Sequence, residues 1–233
     1  MKNLLLLIAA IALLTLPATV MADSITFSAP VTAANTNSST RDPNNSNYAG
    51  GVNQFDLDHH LAYTWRIDGI NLPAGQTITG ATLTFTSMRN WDGNTNMLFV
   101  HLFDTALNAN VASFNDAAGS PVTDIQDNFA IANPLVSAST ANTFLGSRSF
   151  DNAAPQTWTI TFNQAQLNAL AAYIANGNNI AFGFDPDCHY WNNGISFRII
   201  TGPTEVPEPA TLALLGSGLA GLYLRRRRQR KAA

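Results

Sequence analysis

Between Asp23 and Thr204 the chain has no lysine and no glutamate, and Cys188 is its one cysteine. A lone cysteine excludes an intramolecular disulfide, and a body of this length can bury enough apolar surface to be stable without one. An exported thiol could instead pair between chains, but cysteine is among the most buried residue types, which favours an inert Cys188 in the core. The missing residues also thin the catalytic possibilities. No His-Glu-x-x-His, Gly-x-Ser-x-Gly or phosphate-loop pattern is present. A glycoside hydrolase would have to work with aspartates alone, of which Asp56, Asp58, Asp185 and Asp187 are the ones to test. The expectation is a protein that is not an enzyme. Charge in this stretch comes from Arg41, Arg66, Arg89, Arg148 and Arg198 against thirteen aspartates. The whole-chain net charge of −3 therefore hides an acidic body, because half of the positive charge sits in the tail. An acidic surface repels phosphate backbones, so nucleic acid is not an expected partner.

The two ends of the chain carry its strongest signals. Met1-Lys2-Asn3 is a positive start, Leu4 to Leu16 an apolar run, and Val20-Met21-Ala22 a small-residue cleavage site ahead of Asp23. Residues 1–22 thus read as a signal peptide removed by signal peptidase. At the other end Val206-Pro207-Glu208-Pro209 precedes an uncharged stretch, Ala210 to Leu224, and then Arg225, Arg226, Arg227 and Arg228. Fifteen residues at about 1.5 Å rise reach about 22 Å, short of a hydrocarbon core of about 30 Å. The arginines can snorkel to relieve the mismatch, and the positive-inside rule puts them on the cytoplasmic side. Gly216, Gly218 and Gly221 allow close helix approach. The expected organisation is a signal peptide at 1–22, a body at 23–203, a linker at 204–209, a transmembrane helix at 210–224 and a basic cytoplasmic tail at 225–233. The order Pro-Glu-Pro, short apolar helix, arginine cluster resembles the PEP-CTERM sorting signal of exported bacterial proteins. That resemblance implies an inner-membrane-anchored precursor processed by an exosortase, a membrane-embedded transpeptidase-like enzyme that cuts near the Pro-Glu-Pro.

Within the body the hydrophobic period is mostly two. Ser24–Phe27, Leu61–Ile67, Ile78–Thr86 and Thr157–Phe162 alternate, with β-branched and aromatic residues on one face. Met97–Phe103, Asn179–Phe184 and Ile195–Ile200 read as further strands. Many short strands with polar turns predict an all-β protein, a sandwich of jelly-roll type. One short amphipathic helix interrupts them. Asn163 and Gln166 form a capping box, Leu167, Leu170 and Ile174 make an apolar face, and Gly177 falls where a left-handed C-terminal residue is expected. Asn110 to Asn142, rich in Ala, Asn, Asp and Ser, reads as a long loop with one or two short strands.

Arg41-Asp42-Pro43-Asn44-Asn45-Ser46-Asn47-Tyr48-Ala49-Gly50, followed by Ile67 to Leu83 with its Leu72-Pro73-Ala74-Gly75 turn, is similar to the opening of the jelly-roll modules called DNRLRE domains. Those are similar in turn to carbohydrate-binding modules. The chain departs from that pattern at Phe55-Asp56-Leu57-Asp58-His59-His60, so no binding residue is carried over.

Two constellations could hold a ligand. In Asp185-Pro186-Asp187-Cys188-His189-Tyr190-Trp191-Asn192-Asn193-Gly194, Asp185 and Asp187 with amide and backbone oxygens could supply part of the six to eight oxygens that Ca²⁺ takes. Tyr190 or Trp191, with Trp91 from another turn, could present a platform for a sugar ring. The plain structural alternative has Asp185 and Asp187 in Asx turns while Tyr190 and Trp191 cover the core. Zinc fits poorly, since Cys188 and His189 are adjacent rather than spaced as ligands. In the second constellation, strand alternation would put Asp56, Asp58 and His60 on one side, suited either to a divalent ion or to a solvent-facing edge. Together these features predict a protein of the cell surface or extracellular matrix of a biofilm or floc, with a glycan- or calcium-binding sandwich that meets extracellular polysaccharide. A matrix polysaccharide-modifying enzyme and a passive surface coat are the alternatives.

Overall fold

The computed structural model describes residues 22–30, 55–57, 61–90, 96–115, 125–130, 133–150, 154–188 and 190–204, together with seven tail positions. Eleven strands and one helix are described before the tail: β1 Asp23–Ser28, β2 Phe55–Leu57, β3 Leu61–Ile67, β4 Gln76–Asn90, β5 Leu98–Phe103, β6 Asn110–Asn115, β7 Asn142–Arg148, β8 Gln156–Thr161, α1 Gln164–Gly177, β9 Ile180–Pro186, β10 Tyr190–Asn192 and β11 Ile195–Pro203. One sheet runs β1-β11-β4-β10-β2, with β8 also paired to β4; the other runs β6-β3-β9-β5-β7. This is an all-β sandwich with one helix.

Alternation explains how the two sheets meet. Leu83 and Phe85 of β4 and Phe197 and Ile199 of β11 face Trp65 of β3, Leu98 and Val100 of β5, and Phe182 and Phe184 of β9 in one buried cluster. Edge-to-face rings bridge the sheets, Phe85 to Phe184 at 5.4 Å and Phe182 to Phe197 at 4.8 Å. β4 keeps its inward residues on Ala81, Leu83 and Phe85, then on Met88 and Asn90. A β-bulge between Phe85 and Met88, with Ser87 at φ 54°, inserts the extra residue that shifts the phase.

α1 begins as its capping box predicts, with Asn163 and Gln166 exchanging side-chain to backbone bonds of 3.0 and 2.9 Å. Its Leu167, Leu170, Tyr173 and Ile174 are buried in the main core. The left-handed residue that ends it is Asn178, at φ 54°, not Gly177. Asparagine tolerates that region, and the Asn178 N–H closes the last turn on the Ile174 carbonyl.

The stretch 110–142 reads as a long loop with one or two short strands, and a short strand is found in it. It contributes β6, and β7 begins at its end. Its described residues 125–130 and 133–141 include Phe129, which is buried on the outer face of the second sheet with Ala62, Phe103, Ala106 and Ala181. Gly183 makes this third layer possible: a Cβ there would stand 2.6 Å from Phe103 and 2.9 Å from Phe129.

The chain divides into two compact units, residues 1–202 and 203–233. In the second, Gly216, Gly218, Leu219, Gly221, Leu222, Arg227 and Gln229 are helical. Among the described residues no helix is long and apolar enough to cross a membrane. Residues 1–21 of the expected signal peptide, Val206 to Pro209 and the arginines 225, 226 and 228 lie outside the described residues.

Candidate functional site

The described residues among those singled out in the sequence come from separate segments, and pairing brings β2, the end of β4 and β10 together at one end of the sandwich. β10 lies between β2 and the end of β4, pairing Trp191 with Asp56 on one side and Arg89 on the other. β9 ends beside it at Pro186, paired with Leu98 at the start of β5, and the Asp187 N–H donates to the Met97 carbonyl. The two constellations are thus joined through β2 and β10. Trp91, Asp58, His59, His60 and His189, and the side chain of Asp56, lie outside the described residues.

The aromatic platform is not available at Tyr190 or Trp191. Tyr190 is 0 % exposed and Trp191 6 %. Tyr190 packs edge-to-face on Phe150 at 5.4 Å, with its hydroxyl donating to Asn96 Oδ1 at 3.1 Å. Rings this little exposed present no open face for stacking on a sugar, and both side chains cover the core. Cys188 is likewise buried, its thiol donating to Asn90 Oδ1.

Asp185 and Asp187 anchor the third layer. Asp185 is 0 % exposed, yet its carboxylate accepts from the backbone N–H and the side-chain amide of Asn128. Asp187 Oδ1 accepts from the Gln126 N–H at 3.2 Å. The Asx turn belongs to Asp127, whose Oδ1 accepts from the N–H groups of Phe129 and Ala130. Its Oδ2 lies 2.9 Å from His101 Nε2. His101 Nδ1 is 2.7 Å from Asn142 Oδ1, and Asn142 Nδ2 is committed to the Phe129 carbonyl at 3.0 Å. The imidazole is thus held between the Asp127 carboxylate and the Asn142 amide oxygen.

Three carboxylates thus converge on a half-enclosed loop. Burial is the main cause that pushes the Asp187 carboxyl up to about 7, opposed by the Gln126 N–H and reinforced by the charges of Asp185 and Asp127. Asp187 Oδ2 is buried and has no hydrogen-bond partner among the described residues. No three His, Cys, Asp or Glu side chains among the described residues are placed to hold a metal ion together.

His101, Asp127 and Asn128 were not singled out from the sequence. A signal for His101 existed, since it is the one polar residue in the strand Leu98–Phe103. Asp127 and Asn128 sit in a stretch without periodicity, and nothing local marks them.

The tail matches the PEP-CTERM protein-sorting motif over residues 205–228. That motif indicates an exported protein with a C-terminal membrane-anchoring sorting signal, and it implies processing by an exosortase. No curated protein and no solved structure matches the chain, so the likeness to DNRLRE modules finds no support.

Proposed function

We propose that this protein is delivered by its exosortase signal to the cell surface or extracellular matrix of a biofilm or floc, after signal peptidase has removed residues 1–22. There its sandwich serves as a rigid, acidic, lysine-free spacer among exopolysaccharides, with no catalytic role. The observation that carries this reading is the sorting motif at 205–228 joined to a compact sandwich. The frequent passage of consecutive strands from one sheet to the other, as in β3-β4-β5 and β7-β8-β9-β10, supports a jelly-roll type. With Tyr190 and Trp191 enclosed, glycan contact in this reading passes to Trp91 and to polar loop side chains. Pro207→Ala with Glu208→Ala in the native host tests the delivery: the chain should stay uncleaved in the inner membrane. Normal cleavage and release of that variant would refute it. Turnover of host polysaccharide by the purified body would refute the non-catalytic role.

The buried Oδ2 of Asp187, without a hydrogen-bond partner among the described residues and near the carboxylates of Asp185 and Asp127, favours a second element, a calcium ion held at Asp187 and Asp185. Calcium would stabilise the charged Asp187 carboxylate against its burial, the main cause that holds the carboxyl near 7, and against the smaller repulsion from Asp185 and Asp127. Calorimetric titration of the purified body with calcium should show binding that Asp187→Ala abolishes. Silent titration of the intact body would remove calcium from the account.

A further inference from the structure

The outer face of the first sheet is unlike the rest of this acidic body. On β1, β11, β8 and β4 as far as its bulge, Phe27, Phe197, Ile160, Leu83 and Phe85 turn inward to the core. Alternation therefore turns the residues between them outward. Nearly all of those carry hydroxyls. Across one row Thr26 pairs with Arg198 and Thr82 with Thr161. In the next row Ser28 pairs with Ser196 and Thr84 with Thr159, whose hydroxyls are 3.1 Å apart. A Cβ at Gly80 would stand 3.4 Å from Ile200, and the Thr86 N–H donates to the Gly194 carbonyl. That antiparallel register sets Thr82 beside Arg198, so each row crosses the sheet, about 14 Å at the usual strand spacing.

Arg198 is the one charged residue at these outward positions, and it is exposed. The carboxylate on these strands, Asp23, is in phase with Ile25 and Phe27 instead. Arg66 is committed to Asp68 at 2.8 Å and Arg148 to Gln156 at 2.7 Å, whereas no described residue hydrogen-bonds or ion-pairs with Arg198. A guanidinium holds a carboxylate through two parallel N–H bonds. A hydroxyl both donates and accepts, so one that already makes a single bond can still bond a sugar. Resting on the exopolysaccharide setting proposed above, we propose that this face binds a carboxylated exopolysaccharide, with a uronate held by Arg198 and neighbouring sugar hydroxyls bonded along the Thr and Ser rows. Charge selects the face. The acidic loop at Asp185 and Asp187 repels a polyanion, while the rows around Arg198 offer a cation and no carboxylate. One arginine makes each contact weak, and many copies of the protein along one polysaccharide supply avidity.

The test uses the purified body, residues 23–203, which holds both core clusters whole within one compact unit and leaves out the basic tail. Retention is measured on immobilised polygalacturonate, on its carboxyl-reduced form and on the host's own exopolysaccharide, with a chelator present so that calcium bridges nothing. Arg198→Gln should weaken retention on polygalacturonate at least about five-fold, Arg198→Lys less, and carboxyl reduction of the polymer as much as Arg198→Gln. Thr161→Asp places a carboxylate in the same row and should weaken it about two-fold or more with Arg198 intact. Asn168→Asp, an exposed position on α1, changes the net charge as Arg198→Gln does and should leave retention unchanged. Thermal melting checks that each variant is folded. Equal retention by Arg198→Gln and wild type, or an equal loss from Asn168→Asp, overturns the proposal. Retention on the host polymer that Arg198→Gln leaves whole overturns it while keeping the exopolysaccharide setting, and no retention of the wild type on any of the three polymers overturns both.

Discussion

Asp187→Asn should make the sandwich more stable at alkaline pH, an unusual outcome for removing a hydrogen-bonded carboxylate. The Asp187 carboxyl has its pKa raised from 3.8 to about 7, chiefly by burial. The folded state therefore holds a proton that the unfolded state releases between those two values. Stability is unaffected below about 4, declines as pH rises from about 4 to 7, and carries the full penalty above 7. At about 1.36 kcal/mol per pH unit the ceiling is about 4 kcal/mol. Partial exposure of Asp187 screens it, leaving about 1–2 kcal/mol. Asparagine keeps an oxygen to accept from the Gln126 N–H, and its amide replaces Oδ2 without a charge. The assay is thermal melting of the purified body, wild type and variant, from pH 4 to pH 8. Taking the difference between them cancels the titration of the other aspartates. For a body of this size, about 1–2 kcal/mol moves Tm by about 2–8 °C. The variant should match the wild type near pH 4 and melt higher at pH 8. A variant that melts lower at pH 8, or a difference that does not change with pH, would refute the reasoning. Saturating calcium in the wild type should close the same gap if the ion sits at Asp187.

Gly183→Ala places a methyl group against Phe103 and Phe129, and overpacking of this kind costs about 1–3 kcal/mol; Tm should fall, and adding Phe129→Leu should restore part of it. Trp191→Ala should cost about 3–5 kcal/mol, while Trp191→Phe should leave polysaccharide retention unchanged; loss of retention without loss of stability would return Trp191 to a binding role. Asn163→Ala removes the capping box and should lower stability by about 1 kcal/mol, read by urea unfolding.

The strands that were legible are those with one wet face or a dense apolar run. Leu61–Ile67 is found as expected, and the centre of β4 reads directly from its Ile-x-Gly-Ala-x-Leu alternation. β7 was not anticipated, because Asn142-Thr143-Phe144-Leu145-Gly146-Ser147-Arg148 lacks a β-branched run and its phase is broken at Gly146, φ 149°. β2 and β10 span three residues each, too few to show a period, and exist because they pair with each other and with β4. At the candidate site, Asp185 and Asp187 were legible as carboxylates at a strand end. Their partners were not, because Gln126 and Asn128 are about sixty positions away in sequence.

The address of this protein was determined by sequence alone. The Pro-Glu-Pro, the apolar stretch and the arginines act through their order and spacing along one continuous segment, so no folding is needed to read them. The use of Tyr190, Trp191, Asp185 and Asp187 was decided by tertiary structure. A ring is a platform or a core filler, and a carboxylate a ligand or a loop anchor, according to what other segments place against it. Gly183, by having no side chain, admits Phe129 and with it the layer on which those carboxylates close.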